Sequence, residues 1–250
     1  MGKTLIIGHR GAGGEAPENT LAGIKRSIEI GVDRIEIDVR LTADKKVVVV
    51  HDSSLRRING DATRIKNMTY AELLKVDFGA HYSSNFHGEH LPLLEEVIDL
   101  TKGKNTLLIE IKNRREYHPG LERRTWEIVK NAQAENDAIF QSFDDNSLFA
   151  LRDMNISSPI HKLFATFVPI RPYYAGSNLH YKKFKRYDFV DEVGLKQGYV
   201  NRKVVNKIHQ MGKKVNVWTV NKPNKMIRLS NMGVDGIITD FPTLAIKTLR

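Results

Sequence analysis

The chain has 250 residues, of which 41% are hydrophobic and 27% are charged, and its formal net charge is +10. This composition is ordinary for a folded protein and argues against intrinsic disorder. The absence of cysteine excludes disulfides and thiolate metal sites, so that only oxygen and imidazole ligands remain for a metal ion.

No apolar run approaches the roughly 18 residues that a membrane-spanning helix needs. Residues 1–7 lack the basic region and the small-residue cleavage site of a signal peptide. We therefore expect a cytoplasmic protein without a stable membrane anchor. Its positive charge would attract a small anionic substrate, or an anionic surface, to the protein.

Strand and helix patterns alternate along almost the whole chain, which is typical of a parallel sheet. Strands are predicted at 4–9, 34–40, 47–51, 106–112, 138–143, 160–166, 187–191, 214–220 and 236–240. Helices are predicted at 19–30, 93–101, 121–134, 145–153, 201–211, 223–232 and 243–249. If 47–51 is the return arm of a hairpin, eight strands remain, the number that closes a TIM-type (β/α)8 barrel. We predict one α/β barrel domain over residues 1–250, with an insertion at about 52–92 after the second strand.

The strand at 34–40 alternates apolar residues with Glu36, Asp38 and Arg40. Side chains two positions apart on a strand point to the same face, so Glu36 and Asp38 should converge. A turn at 42–46 would bring His51 back roughly opposite Asp38. Acids beside an imidazole indicate a divalent-metal site with an acid/base group, although a polar face turned to water gives the same pattern.

Two further strands also end in ionisable residues. Glu110 and Lys112 share one face of the strand at 106–112, and the apolar strand at 4–9 leads into His9 and Arg10. Because the ends of parallel strands meet at one edge of a sheet, these side chains indicate a site at one rim of the barrel.

Several short motifs occur in one order along the chain. They are His9-Arg10-Gly11, Pro17-Glu18-Asn19-Thr20, Glu36-Ile37-Asp38-Val39, His51-Asp52, Glu110-Ile111-Lys112, Trp218-Thr219-Val220-Asn221 and Gly236-Ile237-Ile238-Thr239-Asp240-Phe241-Pro242. Each motif alone is weak, but the ordered set closely resembles the glycerophosphodiester phosphodiesterase family. The resemblance extends from residue 8 to about residue 242 and so covers nearly the whole predicted domain.

The resemblance implies a TIM-type barrel that hydrolyses a glycerophosphodiester to glycerol 3-phosphate and an alcohol. It also implies one divalent metal ion, held by Glu36, Asp38 and Glu110. Three carboxylates in a chain without cysteine independently suit a hard ion such as Mg²⁺ or Ca²⁺, and both ions stay open. The alternative is that these acids only form ion pairs with Arg10, Arg40 or Lys112.

The resemblance further implies that His9 and His51 transfer protons. Histidine titrates near neutral pH, so each can act as general acid or general base, and their order stays open. Arg10 and Lys112 are expected to bind the phosphate oxygens, or else to pair only with neighbouring acids. Trp218 is either a substrate-binding wall against the glycerol carbons or a residue of the barrel core.

The segment 167–197 fits the family pattern least well, and it contains the basic run at 182–186. Cations interleaved with aromatic residues are compatible with nucleic-acid binding, but a solvated helix face has the same composition, and we expect no nucleic-acid partner. Two alternatives to the proposed enzyme remain. One is a lysophospholipase D-type phosphodiesterase on the same fold, and the other is a non-catalytic phosphate- or nucleic-acid-binding protein.

Overall fold

A computed structural model describes residues 3–113, 118–164 and 184–250. Its strands are β1 (Leu5–Gly8), β2 (Arg34–Leu41), β3 (Val47–Val49), β4 (Thr106–Ile111), β5 (Ala138–Ser142), β6 (Ile160–Phe164), β7 (Glu192–Lys196), β8 (Lys214–Trp218) and β9 (Gly236–Thr239). Its α-helices are α1 (Leu21–Ile30), α2 (Arg56–Asn59), α3 (Tyr70–Leu73), α4 (Leu94–Thr101), α5 (Leu121–Asn131), α6 (Asp145–Asp153), α7 (Arg202–Gln210), α8 (Pro223–Asn231) and α9 (Pro242–Leu249). Within these residues, no helix is long and apolar enough to cross a membrane.

Eight parallel strands form a closed barrel, which confirms the predicted fold. Strand β1 pairs with both β2 and β9, and the ring runs β1-β2-β4-β5-β6-β7-β8-β9. The predicted hairpin is also present, because β3 is antiparallel to β2 with Val39 opposite Val49. In this register the amide of Val50 donates to the carbonyl of Asp38 at 2.8 Å. His51 therefore lies one residue beyond the position directly opposite Asp38.

The prediction of a strand at 187–191 is wrong. A 3₁₀ helix, Lys185–Tyr187, occupies the start of that segment, and the strand β7 begins only at residue 192. The hydroxyl of Tyr187 donates to both carboxylate oxygens of Asp145, at 2.9 and 3.0 Å, and its ring is buried. The aromatic residues of this segment thus pack against helix α6, and their alternation with polar residues does not mark a strand.

Glycine at position 194 helps to explain why β7 is difficult to recognise. Glycine weakens the pattern of a strand, because it has no side chain to pack. A Cβ atom at Gly194 would lie 2.8 Å from Nε2 of His161 on the neighbouring strand. The buried imidazole therefore approaches the backbone of β7 at a distance that requires glycine there.

Apolar clusters pack against both faces of the barrel wall. The larger cluster lies between the strands and the surrounding helices, and the smaller one fills the barrel interior with Ile7, Leu108, Ile139 and Ile238. The insertion forms a separate cluster with the hairpin, made of Val48, Val50, Leu55, Ile65, Leu73, Phe78 and Leu91. The insertion is thereby packed onto the strand that leads to His51.

An ion pair with a buried carboxylate lies at the end of the barrel where its strands begin. Arg34 opens β2 and Glu192 opens β7, and the guanidinium donates two hydrogen bonds to the carboxylate, at 2.7 and 3.0 Å. The amide of Asn216 donates a third, at 2.6 Å. Burial alone would raise the pKa of Glu192, but the hydrogen bonds from Arg34 outweigh it and the pKa is lowered.

Replacing Arg34 with methionine is expected to destabilise the protein by about 3 kcal/mol, because it leaves a buried carboxylate without its cation. The change should be measured as the free energy of urea unfolding. Lys214→Met is the matched control, since this ammonium lies 3.8 Å from Glu192 but is 58% exposed. An equal loss in both variants would show that the hydrogen-bonded pair has no special role.

Candidate active site

A cleft of about 460 Å³, partly open to solvent, lies at the end of the barrel where the strands terminate. Predicted site residues line it: His9, Arg10, Glu36, His51, Glu110, Lys112 and Trp218. The remaining predicted residue, Asp38, is buried beside them and contacts both Arg10 and Lys112. The structure therefore brings all of the predicted site residues to one end of the barrel.

Three carboxylates meet on two adjacent strands. Glu36 and Asp38 lie two positions apart on β2, and Asp38 is paired in register with Glu110 on β4. All three are buried, and each offers an oxygen within 4.8 Å of the other two. Carboxylate oxygens at this spacing can hold a divalent cation of the kind that prefers oxygen ligands.

A loop completes the open edge of β2 beside these acids. The amide of Gly11 donates to the carbonyl of Glu36 at 3.0 Å. The Asn19 side chain accepts from the amide of Asp38 at 3.2 Å and donates to its carboxylate at 2.9 Å. Asn19 was not among the predicted site residues, although it belongs to one of the motifs. The contact of Asn19 with Asp38 depends on the left-handed backbone of this loop, in which φ is 56° at Asn19 and 81° at Gly11.

The nearby cations and burial shift the pKa values of the three acids in different directions. The ammonium of Lys112 lies 2.9 Å from Asp38 and 2.7 Å from Glu110, while Nε of Arg10 lies 3.5 Å from Asp38. Although burial opposes it, Lys112 and then Arg10 hold the pKa of Asp38 well below its usual range. Burial and the charge of Asp38 instead raise the pKa of Glu36 to about 8, and burial raises that of Glu110. Without a further cation, the ionised forms of Glu36 and Glu110 are therefore disfavoured, and a divalent ion is the kind of charge that this set of donors fits.

His9, which follows β1, is held by a carboxylate that follows the neighbouring strand β9. Its Nδ1 lies 2.5 Å from Asp240, whose other oxygen accepts from the amide of Asn221 at 2.6 Å. Because a carboxylate only accepts, Nδ1 carries the proton, while Nε2 lies 3.9 Å from Glu36. Burial alone would lower the pKa of His9, but the hydrogen bond with Asp240 and the charge of Glu36 raise it. Asp240 and Asn221 were missed as site residues, although both lie in motifs.

His51 is held in the same way at the end of the hairpin. Its Nδ1 lies 2.7 Å from Asp52, and the second oxygen of Asp52 accepts from Nε of Arg57 at 2.7 Å. The backbone carbonyl of His51 accepts two hydrogen bonds from Arg40, at 2.8 and 3.0 Å. Hydrogen bonds from His51 and Arg57 hold the pKa of Asp52 well below its usual range. Each cleft histidine is therefore oriented by its own aspartate.

Trp218 belongs to both the core and the cleft. Its ring packs edge to face on Phe143 with centroids 5.3 Å apart, and it adjoins the apolar cluster inside the barrel. Its buried Nε1 has no hydrogen-bond partner among the described residues. The neighbouring Gln141 donates to Glu36 at 3.1 Å, so a neutral amide also helps to hold that carboxylate.

The basic run at 182–186 lies only partly within the described part of the chain, which resumes at residue 184. Arg186 lies 3.2 Å from Asp145 and over the ring of Phe149 at 5.2 Å. This cation is therefore engaged with helix α6. Lys182 and Lys183 lie outside the described residues.

Comparison with known proteins relates the whole barrel to one family. The model of the glycerophosphoryl diester phosphodiesterase family matches residues 9–244. A glycerophosphodiester phosphodiesterase of Caldanaerobacter subterraneus subsp. tengcongensis is 34% identical over 253 residues, covering 99% of this chain and 98% of that protein. A human lysophospholipase D is 28% identical over 270 residues, covering 95% of this chain and 83% of that protein. The solved structure of an Oleispira antarctica phosphodiesterase, in complex with the product sn-glycerol-3-phosphate, has a TM-score of 0.86 at 25% identity and covers 98% of this chain and 96% of that one.

Proposed function

Because the chain belongs to the glycerophosphoryl diester phosphodiesterase family and is an enzyme of that class, we propose that it hydrolyses soluble glycerophosphodiesters with one divalent ion and two histidines. The products would be glycerol 3-phosphate and an alcohol. The observation that carries the proposal is the meeting of three buried carboxylates and two aspartate-held histidines in one cleft. The product bound to the Oleispira antarctica relative supports the glycerol-phosphate half of the substrate.

The ion would be held by Glu36, Asp38 and Glu110, whose buried oxygens form the acidic cluster. Both Mg²⁺ and Ca²⁺ suit such a set of donors. When bound, a divalent ion supplies positive charge that polarises a phosphoryl oxygen and offsets the charge that develops there. The protein's contribution is to hold these carboxylates apart from water and to orient them through Asn19 and Gln141.

Arg10 and Lys112 are proposed to bind the non-bridging oxygens of the phosphate. Both line the cleft and both contact the acidic cluster, so a phosphate beside that cluster lies within their reach. The guanidinium offers a planar fork, whereas the ammonium acts as a compact point charge. Prearranged cations of this kind stabilise the negative charge of the transition state without having to reorient.

His9 and His51 are proposed to move the protons. The attacking oxygen must lose a proton as its bond to phosphorus forms, and the leaving alkoxide must gain one as its bond breaks. Each histidine has Nδ1 bound to an aspartate, which leaves Nε2 for the reacting atoms. Trp218 would form a wall against the glycerol carbons.

The test of this function is release of choline from glycerophosphocholine, with and without EDTA. Choline oxidase coupled to peroxidase reports the reaction, and glycerophosphodiesters with ethanolamine, glycerol and inositol head groups extend it through detection of glycerol 3-phosphate. The single-domain organisation over residues 1–250, the cytoplasmic location and the lack of a nucleic-acid partner remain predictions from the sequence.

A lysophospholipase D activity is the second candidate, because a human relative bears that name. We expect kcat/KM for glycerophosphocholine to exceed that for lysophosphatidylcholine, since no proposed contact of the cleft requires an acyl chain. Both substrates release choline, so one coupled assay measures both, with the lipid kept below its micellar concentration. A tenfold preference for the lipid would make lysophospholipase D the better assignment.

A further inference from the structure

We propose that Arg57, carried by the insertion, is a positioning residue that aligns His51 and Arg10 for catalysis through Asp52 and Glu18. The inference rests on the proposed function, because it presupposes the roles of His51 and Arg10. It adds a contribution from a segment outside the barrel. The insertion would then help to align the catalytic site, although it does not line the cleft.

The guanidinium of Arg57 binds two carboxylates with three donors. Its Nε donates to Asp52 at 2.7 Å, while Nη2 and Nη1 donate to the two oxygens of Glu18 at 2.6 and 3.1 Å. A forked, planar cation holds two carboxylates at a fixed separation, which a lysine ammonium cannot reproduce. The position of Asp52 is thereby tied to that of Glu18.

Each of these carboxylates continues to a proposed catalytic group. Asp52 holds Nδ1 of His51 at 2.7 Å, and Glu18 accepts from Nη1 of Arg10 at 2.9 Å. Polar contacts therefore run without a break from His51 to Arg10 by way of Arg57. A displacement of His51 or of Arg10 would therefore be transmitted through these contacts to the other residue.

The backbone beneath Arg57 is well placed to hold it still. Helix α2 begins after Leu55, which is 1% exposed within the apolar cluster shared by the insertion and the hairpin. The helix ends at Asn59 and is capped by Gly60, which has a φ of 83°. The packing of Leu55 thus fixes the start of the helix that presents Arg57 to Asp52.

The two histidines differ in how their aspartates are supported. Asp240, the partner of His9, is backed by the neutral amide of Asn221, which follows strand β8 of the barrel. Asp52, the partner of His51, is backed by Arg57 from the insertion. The barrel therefore supplies one supported histidine by itself, whereas the second requires the insertion.

A purely stabilising role fits these contacts less well. The side chain of Arg57 is 44% exposed, and exposed ion pairs typically contribute little to stability. A shift of about 1 Å in a catalytic group can instead lower the rate by roughly 10²-fold. The loss of Arg57 should therefore affect turnover much more than unfolding.

The first experiment compares Arg57→Gln and Arg57→Lys with the same changes at Arg56. Arg56 is the preceding exposed residue of the same helix, and its side chain has no hydrogen-bond or ion-pair partner among the described residues. We expect Arg57→Gln to lower kcat/KM by at least about 10-fold, with an unchanged unfolding midpoint. Arg57→Lys should recover only part of this loss, and both Arg56 variants should match the unaltered enzyme.

Double-mutant cycles separate the two branches. Asp52→Asn should act mainly on kcat through His51, and Glu18→Gln mainly on KM through Arg10. Arg57→Gln should affect both constants, and its effect should fall well short of additivity with either change. Full additivity in both cycles, or the same small effect at Arg57 and Arg56, would overturn the inference while the enzyme remains active.

Chemical rescue supplies a readout that a folding defect would not give. Guanidinium chloride, at concentrations far below those that unfold the protein, should restore part of kcat to Arg57→Ala, while equal sodium chloride should not. Absence of rescue would count against the inference. If the unaltered enzyme turned over no glycerophosphodiester, the proposed function would fail, and this inference would fail with it.

Discussion

Replacing Glu36, Asp38 or Glu110 with alanine is expected to abolish turnover, and exhaustive chelation is expected to do the same to the unaltered enzyme. The three carboxylates are buried and share one small volume, so each would supply an oxygen that the others cannot replace. Loss of the ion removes several kcal/mol of stabilisation of transition-state charge. Initial rates before and after chelation, then with added Mg²⁺ or Ca²⁺, measure the dependence.

Stability separates the loss of a ligand from the loss of the fold. Glu36 is buried beside Asp38, and that burial and charge disfavour its ionised form in the absence of a further cation. Glu36→Gln should therefore leave the metal-free protein at least as stable as the unaltered chain, although its activity is lost. This is the trade-off expected where a site holds like charges together for function.

A control and a direct binding measurement complete this test. Glu95→Ala removes an exposed carboxylate from helix α4 and should change neither activity nor metal affinity. Calorimetric titration should show one divalent ion per chain, with weakened binding in the three cluster variants. Full activity after chelation, or in any two of those variants, would contradict the metal assignment.

The part of the site that strand geometry dictates was predictable from the sequence. A period of two along β2 placed Glu36 and Asp38 on one face, and the parallel register then brought Glu110 beside them. The hairpin that returns His51 followed from the turn between two apolar runs. The alternation along a strand and the turn of a hairpin are local features of the sequence. Parallel pairing then places the ends of neighbouring strands side by side.

The residues that hold these groups were harder to foresee. Asn19 reaches Asp38 from a loop whose left-handed backbone no periodic pattern encodes. Asp240 meets His9 because the last strand closes the ring onto the first, a contact that exists only in the closed barrel. Arg57 reaches Glu18 across 39 positions, through side chains alone. In each case the contact depends on tertiary packing that no single segment contains.

The seventh strand was predicted in the wrong place because the local sequence pattern was misleading. The segment at 187–191 has an apolar pattern that serves packing against helix α6, with the hydroxyl of Tyr187 bound to Asp145. Strand β7 contains Glu192, which binds Arg34 at the end of the barrel where the strands begin. It also contains Gly194, where a side chain would clash with the ring of His161. Structural demands on β7 therefore removed the features by which a buried strand is recognised.

His9→Ala and His51→Ala are each expected to lower kcat by at least about 10²-fold, the usual scale of general acid–base catalysis, while both variants fold normally. Each ring is only partly buried, with 18% and 33% of the side chain exposed, so its removal should leave no large cavity. Circular dichroism and the unfolding midpoint should remain close to those of the unaltered chain. Turnover at saturating substrate is the measurement that matters.

The chain offers a matched control in a third histidine–aspartate pair. His209 on α7 lies 2.8 Å from Asp235, and that carboxylate also accepts from the amide of Val215, but His209 does not line the cleft. His209→Ala therefore removes the same chemical pair without reaching the proposed substrate, and kcat should be retained. A loss of turnover in His9→Ala and His51→Ala that only followed the unfolded fraction would make those residues structural. A specific loss, absent from His209→Ala, would instead tie the proton transfers to the cleft, because all three histidines are bound to an aspartate but only His9 and His51 line the cleft.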